Sequence, residues 1–134
     1  MRKTVLFIAA AFVLTVLGPA LAHHAFSAEF DQSKSVKISG EITKLEWVNP
    51  HAWIFLNVKD ADGKVTPWRF EMGAPNALLR AGWSKQDIKI GTMVTVSGFQ
   101  ARAGGPVGNA FQVRLPDGRD LFAASSLKDA ADSK

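Results

Sequence analysis

The chain contains no cysteine, so its fold holds without disulfides and offers no thiolate to a metal. Histidine is scarce too: His23, His24 and His51 are the only three in 134 residues. There is no basic block. Lysines and arginines alternate with Asp and Glu, which excludes the clustered positive patch that nucleic-acid binding needs. No P-loop, dinucleotide fingerprint or internal repeat is present. Asp60-Ala61-Asp62-Gly63 opens like a calcium loop but lacks the later ligand positions and the closing Glu; it reads as a hairpin turn. Glu41, Glu46, Glu71 and Asp87 are candidate carboxylates, yet no pair stands at a spacing that singles it out for acid–base work. Glu41, Glu46 and Glu71 fit the solvent face of strands. Ser125 and Ser126 have no histidine beside them in sequence. No catalytic constellation is therefore legible, and the expectation is a binding or accessory domain rather than an enzyme.

What is present begins with a leader. Arg2 and Lys3 form a positive start, Val5 to Leu17 is apolar and uncharged, Gly18-Pro19 breaks the run, and Ala20 and Ala22 are the small residues of a signal-peptidase site. The run falls short of the ~20 residues that span a bilayer. Residues 1–22 are thus expected to be a cleaved signal peptide, leaving a protein exported to the periplasm with no stable membrane span. The formal charge of +4 drops to +2 once Arg2 and Lys3 are removed.

The rest reads as one small domain, mainly β. Residues 23–35 read as a polar N-terminal arm. From Val36 apolar and polar residues alternate, and the parity shifts once between Gly40 and Lys44, as at a bulge or bend in a long first strand. Ile54, Leu56 and Val58 mark a second strand, and Trp68, Phe70 and Met72 one face of a third. Pro75 to Arg80 reads as a short helix, with Pro at its start and Gly82 past its end. Met93–Phe99 makes a fourth strand. The Gly-rich stretch 103–109 is a loop before strand five at Phe111 to Leu115, and a last strand ends at Phe122. Residues 123–134 lack an apolar pattern and are expected to fray. Three strands, a short helix, then two or three strands is the layout of an OB-like barrel of five to six strands spanning 36–122; an open sandwich or meander with a helix at one end is the alternative.

Two groups of residues carry the functional expectations. Cleavage after Ala22 makes His23 the first residue, and its free amine and imidazole can chelate one ion. His24 or His51 would add another nitrogen, and such a donor set suits Cu(II). The amine titrates near about 7.7–8, so binding would weaken in acid. The same histidines also fit a solvated terminus and a turn after Pro50. Met72 and Met93 read as core by strand parity rather than as soft ligands. The second group is a ligand surface of Trp47, Asn49, Trp53 and Arg102 on the loops that border the usual ligand face of an OB barrel; the alternative is that the tryptophans pack the core. Phe26 and Phe30 would dock the arm onto this surface and bring His23 nearer His51.

His23-His24-Ala25-Phe26, Ala28-Glu29-Phe30-Asp31, Gly40-Glu41-Ile42-Thr43-Lys44, Trp47-Val48-Asn49-Pro50-His51, Pro75-Asn76-Ala77-Leu78, Gly82-Trp83 and Pro116-Asp117-Gly118-Arg119 together resemble a family of small exported bacterial proteins known as domain of unknown function 6152. The resemblance implies a periplasmic, OB-like domain and brings no reaction, ligand or site residue. Three functional readings stand: a periplasmic binding or accessory domain for an unknown protein or small ligand, with a copper or other divalent site at His23; a copper-dependent redox enzyme; and a protein- or glycan-binding module using the loop aromatics.

Overall fold

A computed structural model describes residues 26–84, 86 and 88–124. Residues 1–22, His23, His24, Asp87, Ser125, Ser126 and the end of the chain lie outside the described residues. Six strands form one sheet: β1 (Phe30–Glu46), β2 (Trp53–Lys59), β3 (Val65–Glu71), β4 (Met93–Ala101), β5 (Val107–Arg114) and β6 (Asp120–Phe122). The order is β3-β2-β1-β4-β5-β6, with neighbours antiparallel. A further, parallel pairing joins β3 to β5 through Arg69–Val107, Phe70–Gly108 and Glu71–Asn109. One edge of β5 is thus shared, its start by β3 and its end by β6.

β1 has 17 residues because it serves two partners. Val36–Glu41 pairs with β4 and Glu41–Glu46 with β2, and the register slips between Ile42 and Lys44. That slip is the parity shift visible in the sequence: an extra residue bends the strand and re-aims its later side chains. β1 starts earlier than the sequence pattern indicates. Residues 26–29 are helical, and Phe30–Ser35, assigned above to the arm, already lies in the strand. After the buried Phe30 a run of polar side chains hides it, because Asp31–Ser35 is a mostly exposed, irregularly paired stretch with no apolar alternation.

The core holds Ile42, Ile54, Leu56, Phe70, Met72, Leu78, Val96 and Val113. Helix α1 (Pro75–Arg80) follows β3. Pro75 opens it where a missing N–H costs nothing. It closes with Gly82 at a positive φ of 93°, while Trp83 N donates to Leu78 O at 3.0 Å and Gly82 N to Leu79 O at 3.1 Å. This is a Schellman ending, and it carries Leu78 and Trp83 together into the core. The Trp83 indole N–H donates to Phe122 O at 2.6 Å, tying the helix end to β6.

Two expectations are corrected. Met93 is 55% exposed, not core, because it opens β4 on the outward parity. Ala123 and Ala124, assigned to the fraying tail, are buried: Ala123 N donates to Phe111 O and its carbonyl accepts from Gly73 N. Alanine is too small to leave an apolar signature, so the sequence pattern misses this last anchored turn.

Candidate functional site

The site forms on the outward face of the sheet, where alternation alone would put solvent. Trp53 stands opposite Glu71, Glu71 opposite Asn109, and Asn109 opposite Phe99, making one row across β2, β3, β5 and β4. Paired residues project to the same side, so the four side chains are neighbours. Their flanks, Ile54, Phe70 and Ala110, point the other way into the core.

Glu71 and Asn109 are the two buried polar residues among those described, at 7% and 2% exposure. Burial costs an ion more than any other group unless it is paired. Glu71 has a partner: the Nδ1 of His51 lies against its Oε1. His51 follows the cis Asn49–Pro50 bond, is 42% exposed at its side chain, and its Nε2 has no partner among the described residues. Burial pushes the Glu71 carboxyl above its ordinary value, the His51 charge works against that shift, and the charge of Glu29 adds to it. Asn109 Nδ2 has no hydrogen-bond partner among the described residues. An orphaned buried donor costs about 1–3 kcal/mol, so its presence is a feature to be explained.

The arm packs beside this row. The Phe26 ring lies 5.4 Å from Phe30 and 6.3 Å, edge-on, from Phe99, which in turn lies 5.3 Å from Phe111. These four rings make a second apolar cluster outside the main core. Arg102 fastens the arm: its Nε donates to Ser27 O at 2.6 Å and its backbone N to Glu29 O at 2.9 Å.

The residues singled out from sequence are therefore dispersed. His51 and Trp53 both stand next to Glu71. Arg102 is occupied with the arm. Trp47 packs on Trp83 at 6.3 Å, at the edge of the core, and Asn49 is exposed. His23 and His24 lie outside the described residues. Glu71, read as solvent-facing, is instead the buried centre of the site, with Trp53 and Asn109 on either side of it across the sheet and His51 against its carboxylate. Asn109, read as loop, is inside β5. The sequence signal for Glu71 was its position one residue before the buried Met72, at the strand's end; nothing local announced Asn109.

Among the described residues, no group of three or more His, Asp or Glu side chains is arranged to hold a metal ion. The described part supplies one free imidazole nitrogen, held in place by a carboxylate. A carboxylate that accepts from one ring nitrogen and leaves the other to an ion is how metal-binding histidines are commonly oriented. The donor chemistry fits a metal only if the preceding residues complete it.

No helix among the described residues is long and apolar enough to cross a membrane. The features together define a small mainly β domain, one six-stranded sheet carrying a buried carboxylate–histidine pair beside an N-terminal arm. The chain belongs to the family of unknown function DUF6152, which it matches over residues 10–110. The match starts within the apolar run Val5 to Leu17 and ends before Pro116-Asp117-Gly118-Arg119. No curated protein and no solved structure matches the chain.

Proposed function

We propose that this chain is an exported, non-enzymatic binding domain of the periplasm, and that its mature N-terminal His23 joins His51 in binding a divalent metal, copper by the character of the donors. The pairing of β3 with β5, which brings the run β3-β2-β1-β4-β5 back to its start, supports an OB-type barrel as the scaffold. One observation carries the functional reading: the arm is anchored by Arg102 and by the packing of Phe26 on Phe99, and Phe99 stands in the same row as Asn109 and Glu71, the partner of His51. His23 stands three chain steps before Phe26, and three steps reach at most about 11 Å. An amine and ring at His23, with the free Nε2 of His51, give three nitrogens, a set that suits tetragonal Cu(II). Glu71 holds the His51 ring and lowers its freedom before the ion arrives. His24 is the other nitrogen within reach.

Electron paramagnetic resonance of the Cu(II)-loaded mature protein tests the ligand set. Wild type is expected to give an axial signal with nitrogen hyperfine structure, and His51→Ala to lose one nitrogen and bind more weakly. An identical spectrum and affinity in His51→Ala would remove His51 from the site.

A further inference from the structure

Beyond the His51–Glu71–Asn109 cluster, a second feature of the outward face is built to receive something. A cavity of about 400 Å³ opens between β2, β3 and the start of β5. Phe55, Pro67, Pro106 and Val107 line it, and Arg69 stands among them. The register explains the gathering: Phe55 is opposite Arg69, and Arg69 opposite Val107, so the three share one side of the sheet.

The walls are set before any ligand arrives. Arg69 N donates to Pro106 O at 3.0 Å, which seats the β5 side against β3. Gln100 Nε2 donates to Gly105 O at 2.9 Å and holds the loop that leads to Pro106. The volume falls in the roughly 300–1,000 Å³ range of small-ligand sites, and the lining is apolar with one charged group, as such sites require.

The charge gives the ligand its chemistry. Arg114 holds Asp120 through two bonds of 2.7 Å, and Arg119 holds Asp117 at 2.8 Å. Arg69 has no carboxylate in ion-pair range among the described residues; its guanidinium lies 5.4 Å from the Trp53 ring centroid instead. A guanidinium resting on an indole keeps its N–H fork for a planar acceptor, and a carboxylate fits that fork in a bidentate way.

We propose that this cavity binds a small carboxylate with an apolar, aromatic-sized body. The carboxylate accepts from Arg69, and the body lies against Phe55 and the two prolines. The proposal is independent of the metal reading, since it uses neither histidine nor the arm.

Titration of the metal-free mature protein with 4-phenylbutyrate, followed by ¹⁵N-resolved nuclear magnetic resonance, tests it, with 4-phenylbutanol as the uncharged twin. Saturable shifts are expected at Phe55, Arg69 and Val107. The alcohol should bind about tenfold or more weakly, the worth of one charge-assisted hydrogen-bonded pair. Arg69→Met should weaken the acid by a similar factor and leave the alcohol unchanged. Phe55→Ala, checked for an intact fold by circular dichroism, should weaken both. Equal binding of acid and alcohol, an Arg69→Met protein that binds the acid as wild type does, shifts that map to the Phe26–Phe99 cluster, or no saturable shift would each overturn the proposal.

Discussion

A methyl group at Gly108 has no room. An ideal Cβ there would stand 2.7 Å from the carbonyl oxygen of Phe99 and 2.8 Å from Cε1 of Phe70. Neither neighbour yields cheaply: Phe99 is fixed in the β4–β5 ladder, and Phe70 is wholly buried. Gly108→Ala must therefore push β5 away from β3 or β4, and only three residue pairs hold β3 to β5. Overpacking of this kind costs about 1–3 kcal/mol. For a domain of this size each kcal/mol moves Tm by about 4–8 °C, so a loss of roughly 5–20 °C is expected. Thermal unfolding of the mature protein, followed by far-ultraviolet circular dichroism and checked for two-state behaviour, reads it directly. A Tm within about 2 °C of wild type would refute the close approach of β3 and β5 on which the placement of Glu71 beside Asn109 depends.

Other consequences are open to measurement. Because burial holds the Glu71 carboxyl above its unfolded value, the stability it contributes is full below the unfolded carboxyl range and is lost as pH rises through the raised folded value; the stability of Glu71→Gln relative to wild type should therefore grow from acid towards neutral pH, and a pH-independent gap in denaturant midpoints would contradict the assignment. Asn109→Leu removes an orphaned donor and should leave the metal-free protein as stable as before or stabilise it by up to about 1–3 kcal/mol; a clear loss in urea unfolding would mean that the amide has a partner. Arg102→Met removes the side-chain bond to Ser27 O, and hydrogen exchange at residues 27–30 should accelerate while the β2–β3 hairpin keeps its protection; unchanged exchange would show that the phenylalanines alone hold the arm.

Strand number, helix position and the bend in β1 were legible because each leaves a periodic signal: the slip between Ile42 and Lys44 is the shift in parity that the residues themselves display. The helix declared its ends through Pro75 and Gly82. The site was far less legible. Alternation assigns one strand face to the core and the other to water, and Glu71 falls on the second face. It is buried beside Asn109, which the parallel pairing with β5 brings in from 38 residues further along the chain, a non-local fact that no window around Glu71 contains. Asn109 was hidden by its glycine-rich surroundings: Gly108 looks like loop, yet it is glycine because Phe70 and the Phe99 carbonyl crowd its α-carbon. Arg102 looked free for a ligand only while the arm it clamps was undrawn.

The central claim is that His23 at the mature terminus completes a metal site with His51. The most direct test is calorimetric titration of Cu(II) into mature protein beginning at His23, beside the same protein with one extra glycine before it. Tight one-to-one binding that the added glycine abolishes, by displacing the amine from the histidine, is the predicted result. Equal affinity in the two proteins, or weak binding in both, would contradict the account.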